Sequence, residues 1–179
     1  FIIGEQDRLL VGNSVRFCGE FQAFFNAAEA IPANASTLRM DESLGVYSII
    51  DQLTIKSQST HQVIEEIRHY PRFLASYLPT TSTSNDALGH LSETALITPA
   101  YTSQKFGVVD LPSMKTTGNR FCITLPCGLF NGLNPIPLAA NGSGGVGGLL
   151  VEITLAPDSN VFFESGGTAA TIEQAFYQV

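Results

Sequence analysis

Four stretches of this chain switch between apolar and polar side chains at every residue, and a period of two admits little besides half-buried β-strands. In the first, Val15, Phe17, Phe21, Ala23 and Phe25 take one side and Arg16, Cys18, Glu20 and Gln22 the other, with only Phe24 out of step. In the second, Leu53 and Ile55 alternate with Thr54 and Lys56. The third sets Phe121, Ile123 and Leu125 against Arg120, Cys122 and Thr124. The fourth sets Leu149, Val151, Ile153 and Leu155 against Glu152 and Thr154. Shorter candidates at 1–3, 8–11, 106–109, 161–163 and 176–179 bring the total to roughly eight or nine strands, the number a two-sheet sandwich needs.

One segment carries a different period. Val63, Ile64, Ile67, Tyr70, Leu74, Tyr77 and Leu78 recur at spacings of three and four, which predicts a helix over 63–78. Glu65 and Glu66 near its start and Arg68 and Arg72 further on suit the helix dipole. Pro71 is expected to kink or split it. A further short helical turn is expected within 41–48.

Composition narrows the function classes. The 179 residues suit one domain able to bury a full core. Apolar residues make up 44% and the net charge is only -7, which excludes a disordered chain. The 12 Phe, 16 Gly and 9 Pro fit a β protein with many turns. Lys and Arg total 9 and are scattered, so direct nucleic-acid binding is not expected. No apolar run approaches the ~20 residues of a membrane span, and no signal-peptide pattern is visible. The chain starts at Phe1 and stops inside the apolar run 175–179, which reads as part of a longer chain. Cys18, Cys122 and Cys127 cannot all pair within one chain and lack zinc-site spacing, so free thiols in a reducing compartment are expected. Asn34-Ala35-Ser36 and Asn141-Gly142-Ser143 match the glycosylation pattern but carry little weight without a secretory signal.

The motifs that could carry chemistry each have a plainer reading. Gly142-Ser143-Gly144-Gly145-Val146-Gly147 matches G-x-G-x-x-G, yet a dinucleotide site needs a strand before it and a helix after it. Here Pro135-Ile136-Pro137 precedes it and a strand follows, so it reads as a flexible loop. His61, Glu65 and His69 would share one face of a helix, a spacing that can hold a metal, but a solvated polar face is the better reading. Ser, His and Asp are all present without a G-x-S-x-G elbow. Cys127 between Pro126 and Gly128 has no basic neighbour to activate it and reads as a buried or turn cysteine. The adjacent carboxylates Asp41-Glu42 and Glu65-Glu66 do not face each other on a helix and read as solvated helix-start charges. No catalytic, cofactor-binding or metal-binding residue is assigned. Phe24-Phe25 and Phe162-Phe163 place aromatics on both faces of a strand, so one of each pair is core and the other lies under a loop or meets a neighbouring subunit.

Three stretches carry a family likeness. The first runs from Gly45-Val46 through Leu53-Thr54-Ile55 to Val63-Ile64-Glu65-Glu66-Ile67 and Tyr70. The second is Arg120-Phe121-Cys122-Ile123-Thr124-Leu125-Pro126 followed by Gly128-Leu129-Phe130, and the third is 148–157, a glycine before an apolar alternation with one glutamate. Together they resemble the major capsid proteins of polinton-like viruses and virophages, small double-stranded DNA viruses of protists. The first looks like the strand, glutamate-containing helix and tyrosine of the first jelly roll in that family, and the third like a late strand. The resemblance implies two jelly rolls side by side, trimers of pseudo-sixfold outline and an icosahedral shell, with no catalytic or metal residues to carry over.

The expected fold is therefore all-β: an eight-stranded jelly-roll sandwich with one or two short helices in the connections. It spans 1–179 as a single domain, or as the first half of a double jelly-roll chain. Its core is expected from Val15, Phe17, Phe21, Leu53, Ile55, Phe121, Ile123, Leu125, Val151, Ile153 and Leu155. The expected function is structural: a capsid protein of the virion, not an enzyme, whose partners are other copies of itself, in trimers, and other capsid proteins. The long loops over 80–99 and 131–148 are expected to meet those neighbours or the outside. A single jelly-roll vertex subunit and a carbohydrate-binding jelly roll are the alternatives, the latter poorly served by 5 Tyr and no Trp. A cupin-type enzyme is disfavoured by three scattered His.

Overall fold

A computed structural model describes residues 1–4, 9–25, 38–41, 43–81, 95, 119–139, 145–164 and 175–179. Its strands are β1 (Ile2–Ile3), β2 (Leu9–Leu10), β3 (Arg16–Phe25), β4 (Leu38–Arg39), β5 (Ile50–Ser57), β6 (Val63–Arg68), β7 (Asn119–Thr124), β8 (Ile136–Pro137), β9 (Leu149–Leu155), β10 (Phe163–Glu164) and β11 (Ala175–Gln178). A 3-10 helix spans Gly45–Ile49, and the α-helices are α1 (Tyr70–Thr81) and α2 (Asp158–Val161). The class is all-β, as the alternation requires, and every strand pair with a defined register is antiparallel.

The chain forms two compact units, each drawn from three separated segments. The first comprises Phe1–Phe17, Ile50–Tyr70 and Thr124–Leu155. Its centre is a four-stranded sheet in the order β1-β9-β5-β6. Leu53 lies opposite Ile153, Ile55 opposite Val151 and Ser57 opposite Leu149. Leu53, Ile55, Leu149 and Val151 are buried, so the period of two places one face in the core. The other face is polar and cross-linked. Gln52 Nε2 donates to Glu66 Oε1 at 2.9 Å, and Lys56 Nζ meets Glu152 Oε2 at 2.6 Å. A two-stranded ladder, β2 with β8, completes the pairings of this unit.

The second unit comprises Cys18–Ile49, Pro71–Ile123 and Ala156–Val179. Its strands form a three-stranded sheet in the order β11-β3-β7 and a β10-β4 pair. Phe21 is fully buried, with its ring centroid 5.9 Å from that of Tyr177 and 6.2 Å from that of Phe162. Phe162 is thus a core residue, and the side chains of Phe163, Phe24 and Phe25 lie outside the described set. Phe121 and Ile123 are buried while Arg120 is exposed, as the alternation predicts.

The pairings are nested along the sequence. β1 pairs with β9, β2 with β8, and β3 with β7; β3 also pairs with β11, β4 with β10, and β5 with β9. Early strands thus meet late ones in two concentric series.

Several expectations are corrected. The helix expected over 63–78 is instead strand β6 followed by helix α1, which begins only at Tyr70. Val63, Ile64 and Ile67 are β-branched, and the segment pairs with β5 from Val63 to Arg68 with one irregularity at Ile64, a ladder that outweighs the three-and-four spacing. His69 takes a left-handed φ of 52° that ends the strand. Pro71 then sits in the first helical turn, where its fixed φ suits the helix and its missing N–H is not needed, so it starts α1 rather than kinking it. Tyr70, Leu74 and Leu78, four apart, form the buried stripe. The expected turn within 41–48 is present as the 3-10 helix at 45–49.

Leu155 is 46% exposed rather than core. Leu155 closes β9 opposite Ile50, at the end of the ladder where the β5–β9 register breaks between Ile50 and Gln52. Ala156, the next residue, is buried instead. Val15, Phe17 and Ile153 are half-buried. In the segment 161–163, Val161 ends α2, Phe162 caps it and Phe163 opens β10. Cys18 and Cys122 are joined in a disulfide, correcting the expectation of free thiols, while Cys127 is free. A bond between residues 104 apart depends on strand register, which spacing along the chain does not reveal. The candidate strand at 106–109, and most of the loop at 80–99, lie outside the described residues.

Candidate functional site

The histidine and carboxylate candidates do not come together. His61 and His69 both have left-handed φ, 57° and 52°, and bracket β6 rather than sharing a helical face with Glu65. His69 Nδ1 lies 3.8 Å from Asp51 Oδ1 on the surface. Glu65 and Glu66, as neighbours on a strand, point to opposite faces. Glu66 binds Arg68 Nε at 2.6 Å. Asp41 accepts hydrogen bonds from the backbone N–H and hydroxyl of Ser43, and Glu42 lies outside the described residues. Among the described residues no group of three or more His, Cys, Asp or Glu is placed to hold a metal. In the glycine-rich segment, Gly147 and Gly148 adopt φ of 65° and 78° and lead directly into β9, so a strand follows where a dinucleotide site would need a helix. Residues 141–144 lie outside the described set.

Glu65 has a role that its spacing along the chain does not disclose. Its Oε1 accepts the Gly128 N–H at 2.7 Å and its Oε2 the Leu129 N–H at 2.8 Å. The carboxylate therefore ties β6 to the turn 126–130, 63 residues away. Charge-assisted bonds of this length are stronger than neutral ones. A Cβ on Gly128 would lie 3.2 Å from Glu65 Oε1, so glycine leaves room for the carboxylate. Five residues along the chain from Glu65, the buried Tyr70 hydroxyl donates to the Pro126 carbonyl at 3.0 Å. Neither Glu65, between Ile64 and Glu66, nor Tyr70, between His69 and Pro71, has sequence neighbours that point to a partner near 126–129.

Cys127 is buried beside this turn and accepts the Phe130 N–H at 3.3 Å. Burial first, then the nearby Glu65 charge, pushes its thiol up from an ordinary 9.0 to about 12. That is the opposite of an activated nucleophile and fits the reading of a buried turn cysteine. Burial, with Asp158 adding to it, likewise raises the Tyr177 hydroxyl from 10.0 to about 12. Both groups are neutral when protonated and have folded values above their unfolded ones. The stability they contribute is complete below about pH 9, and is lost as pH rises through about 12. Denaturant midpoints measured from pH 8 to 11 are expected to fall continuously above pH 9; a flat profile would contradict these shifts.

The remaining feature of the first unit is an exposed apolar margin. Ile2 in β1 is 64% exposed and Val63 and Ile64 in β6 are 52% and 40% exposed. These two strands are the two ends of the four-stranded order, so each presents an open row of backbone donors and acceptors among the described residues. Leu9, Val11 and Leu133 add further exposed apolar side chains in the same unit. Edges of this kind can recruit a strand or an apolar surface from another chain. Glu66 and Arg68 on β6 supply charges that limit indiscriminate pairing. No helix among the described residues is long and apolar enough to cross a membrane. No protein family, curated protein or solved structure matches the chain.

Proposed function

We propose that this chain is a shell-forming subunit of a virion, an eight-stranded jelly roll that assembles with copies of itself into homotrimers and these into an icosahedral capsid. The observation that carries the reading is the nested antiparallel pairing of early strands with late ones. A long hairpin wound on itself produces that connectivity, and the jelly roll is the common fold built that way. The residues that resemble polinton-like virus and virophage major capsid proteins favour the first roll of a double jelly-roll subunit. Two of those stretches, the one with Glu65 and Tyr70 and the one with Pro126 and Gly128, are hydrogen-bonded to each other.

The work of such a subunit is geometric rather than catalytic. Symmetry repeats each contact many times, so individually weak contacts hold a shell. A charged fraction of 14% keeps repulsion between neighbours small. The exposed apolar margins supply the contact surface.

The test is the assembly state of the purified protein, by light scattering and electron microscopy. Trimers or closed particles are expected. A protein that stays monomeric at high concentration and binds a glycan array would replace this reading with a carbohydrate-binding jelly roll. Replacing Val63 and Ile64 together by lysine is expected to weaken assembly at least tenfold. Since both are exposed, folding stability should change by no more than about 0.5 kcal/mol per site. Unchanged assembly would remove β6 from the contact surface.

A further inference from the structure

We propose that Cys18 and Cys122 form a redox-switchable staple that locks β7 onto β3, opened and closed by exchange with a small thiol of the glutathione class. The two cysteines sit on neighbouring strands with Cα atoms 4.0 Å apart, although 104 residues separate them in sequence. Among the described residues β7 ends the β11-β3-β7 order, with β3 as its neighbour in this sheet.

The two faces of this strand pair are joined differently. On the inner face the Phe121 ring covers Gly19 so closely that a Cβ there would lie 2.9 Å from the ring. On the outer face the alternation places Cys18, which is exposed, and Cys122, which is half-buried. Disulfide exchange needs an approachable sulfur, and this pair offers one. Exposed Arg16 and Arg120 each lie two residues before a cysteine on the same outward row. Cys127 belongs to the other unit and is buried, so it does not compete.

The chemistry balances with the small thiol as reductant. Its thiolate attacks one sulfur of the pair, the S–S bond breaks, and the other cysteine leaves as a thiolate that takes up a proton. A second small thiol attacks the mixed disulfide. The products are two protein thiols and one small-molecule disulfide, with two electrons passed to the protein. The oxidised small disulfide drives the reverse reaction.

Native protein equilibrated in glutathione buffers of graded redox ratio, alkylated and weighed intact, reads the state directly. Two alkyl groups are expected to appear together as the buffer becomes reducing, and to map to Cys18 and Cys122. The oxidised form should melt roughly 5–10 °C higher, because the staple closes a long loop. A Cys18→Ala/Cys122→Ala double variant should melt at the reduced wild-type temperature in both buffers. Labelling that ignores the buffer, resistance of the native pair to millimolar glutathione, or equal melting temperatures would each overturn the switch. The labelling result stands on the wild-type chain, whether or not the variant folds.

Discussion

Phe21→Ala is expected to cost about 3–5 kcal/mol, the largest loss from any single truncation considered for this protein. Phe21 is 0% exposed, and its ring stacks on Tyr177 and tilts against Phe162, which itself lies 6.3 Å from Tyr177. Truncation removes the shared member of a three-ring cluster and leaves a cavity that two rings on separate segments cannot close together. The Tyr177 hydroxyl also donates to the Ala156 carbonyl, so ring movement would strain a second contact. For a chain of this length the loss corresponds to a melting point lower by roughly 10 °C or more. Phe21→Leu, which keeps most of the volume, should cost about 1–2 kcal/mol. Chemical denaturation of the three proteins checks the order, and a cost below 1 kcal/mol for the alanine variant would show that the cluster does not hold this unit.

Glu65→Ala is expected to destabilise by about 2 kcal/mol, because the Gly128 and Leu129 N–H groups lose an ionised acceptor. The figure is set at the low end for two such bonds because Gly128 is exposed and water can replace part of what is lost. Glu65→Gln should recover only part of it. The amide keeps one acceptor oxygen but turns an NH2 group toward the second N–H. Amide hydrogen exchange at residues 128 and 129 is the local readout, and it should accelerate in both variants. Removing the carboxylate also removes a charge that raises the Cys127 thiol, so alkylation of Cys127 should begin at lower pH. Unchanged exchange at both amides would mean that Glu65 does not anchor the turn in solution.

The strands that could be read in advance were those with one wet and one dry face. β3, β7 and β9 alternate over long runs and β5 over 53–56, and burial of Phe21, Leu53, Phe121 and Val151 follows that alternation. Segment 63–68 was misread because Val63, Ile64 and Ile67 satisfy a helical spacing as well as a strand. Neighbouring β5 settles the matter by offering a ladder that local propensity does not encode. The Glu65 anchor was hidden for a related reason. A glutamate followed by a glutamate looks like a solvated helix start until a turn from 63 residues away brings two N–H groups to one of them.

Alternation of side chains along the chain was enough to determine an all-β protein, its main strands and the part of its core those strands carry, because burial on a pleated strand follows local order with a period of two. Met40, Val46, Tyr47, Ile49 and Phe130, by contrast, are buried from turns and connections that have no such period. Tertiary structure alone decided which strands are neighbours, where the β5–β9 register breaks, and that Cys18 meets Cys122. Those outcomes depend on register between segments as much as 104 residues apart, and register is set by the sum of many weak contacts rather than by any residue's own preference.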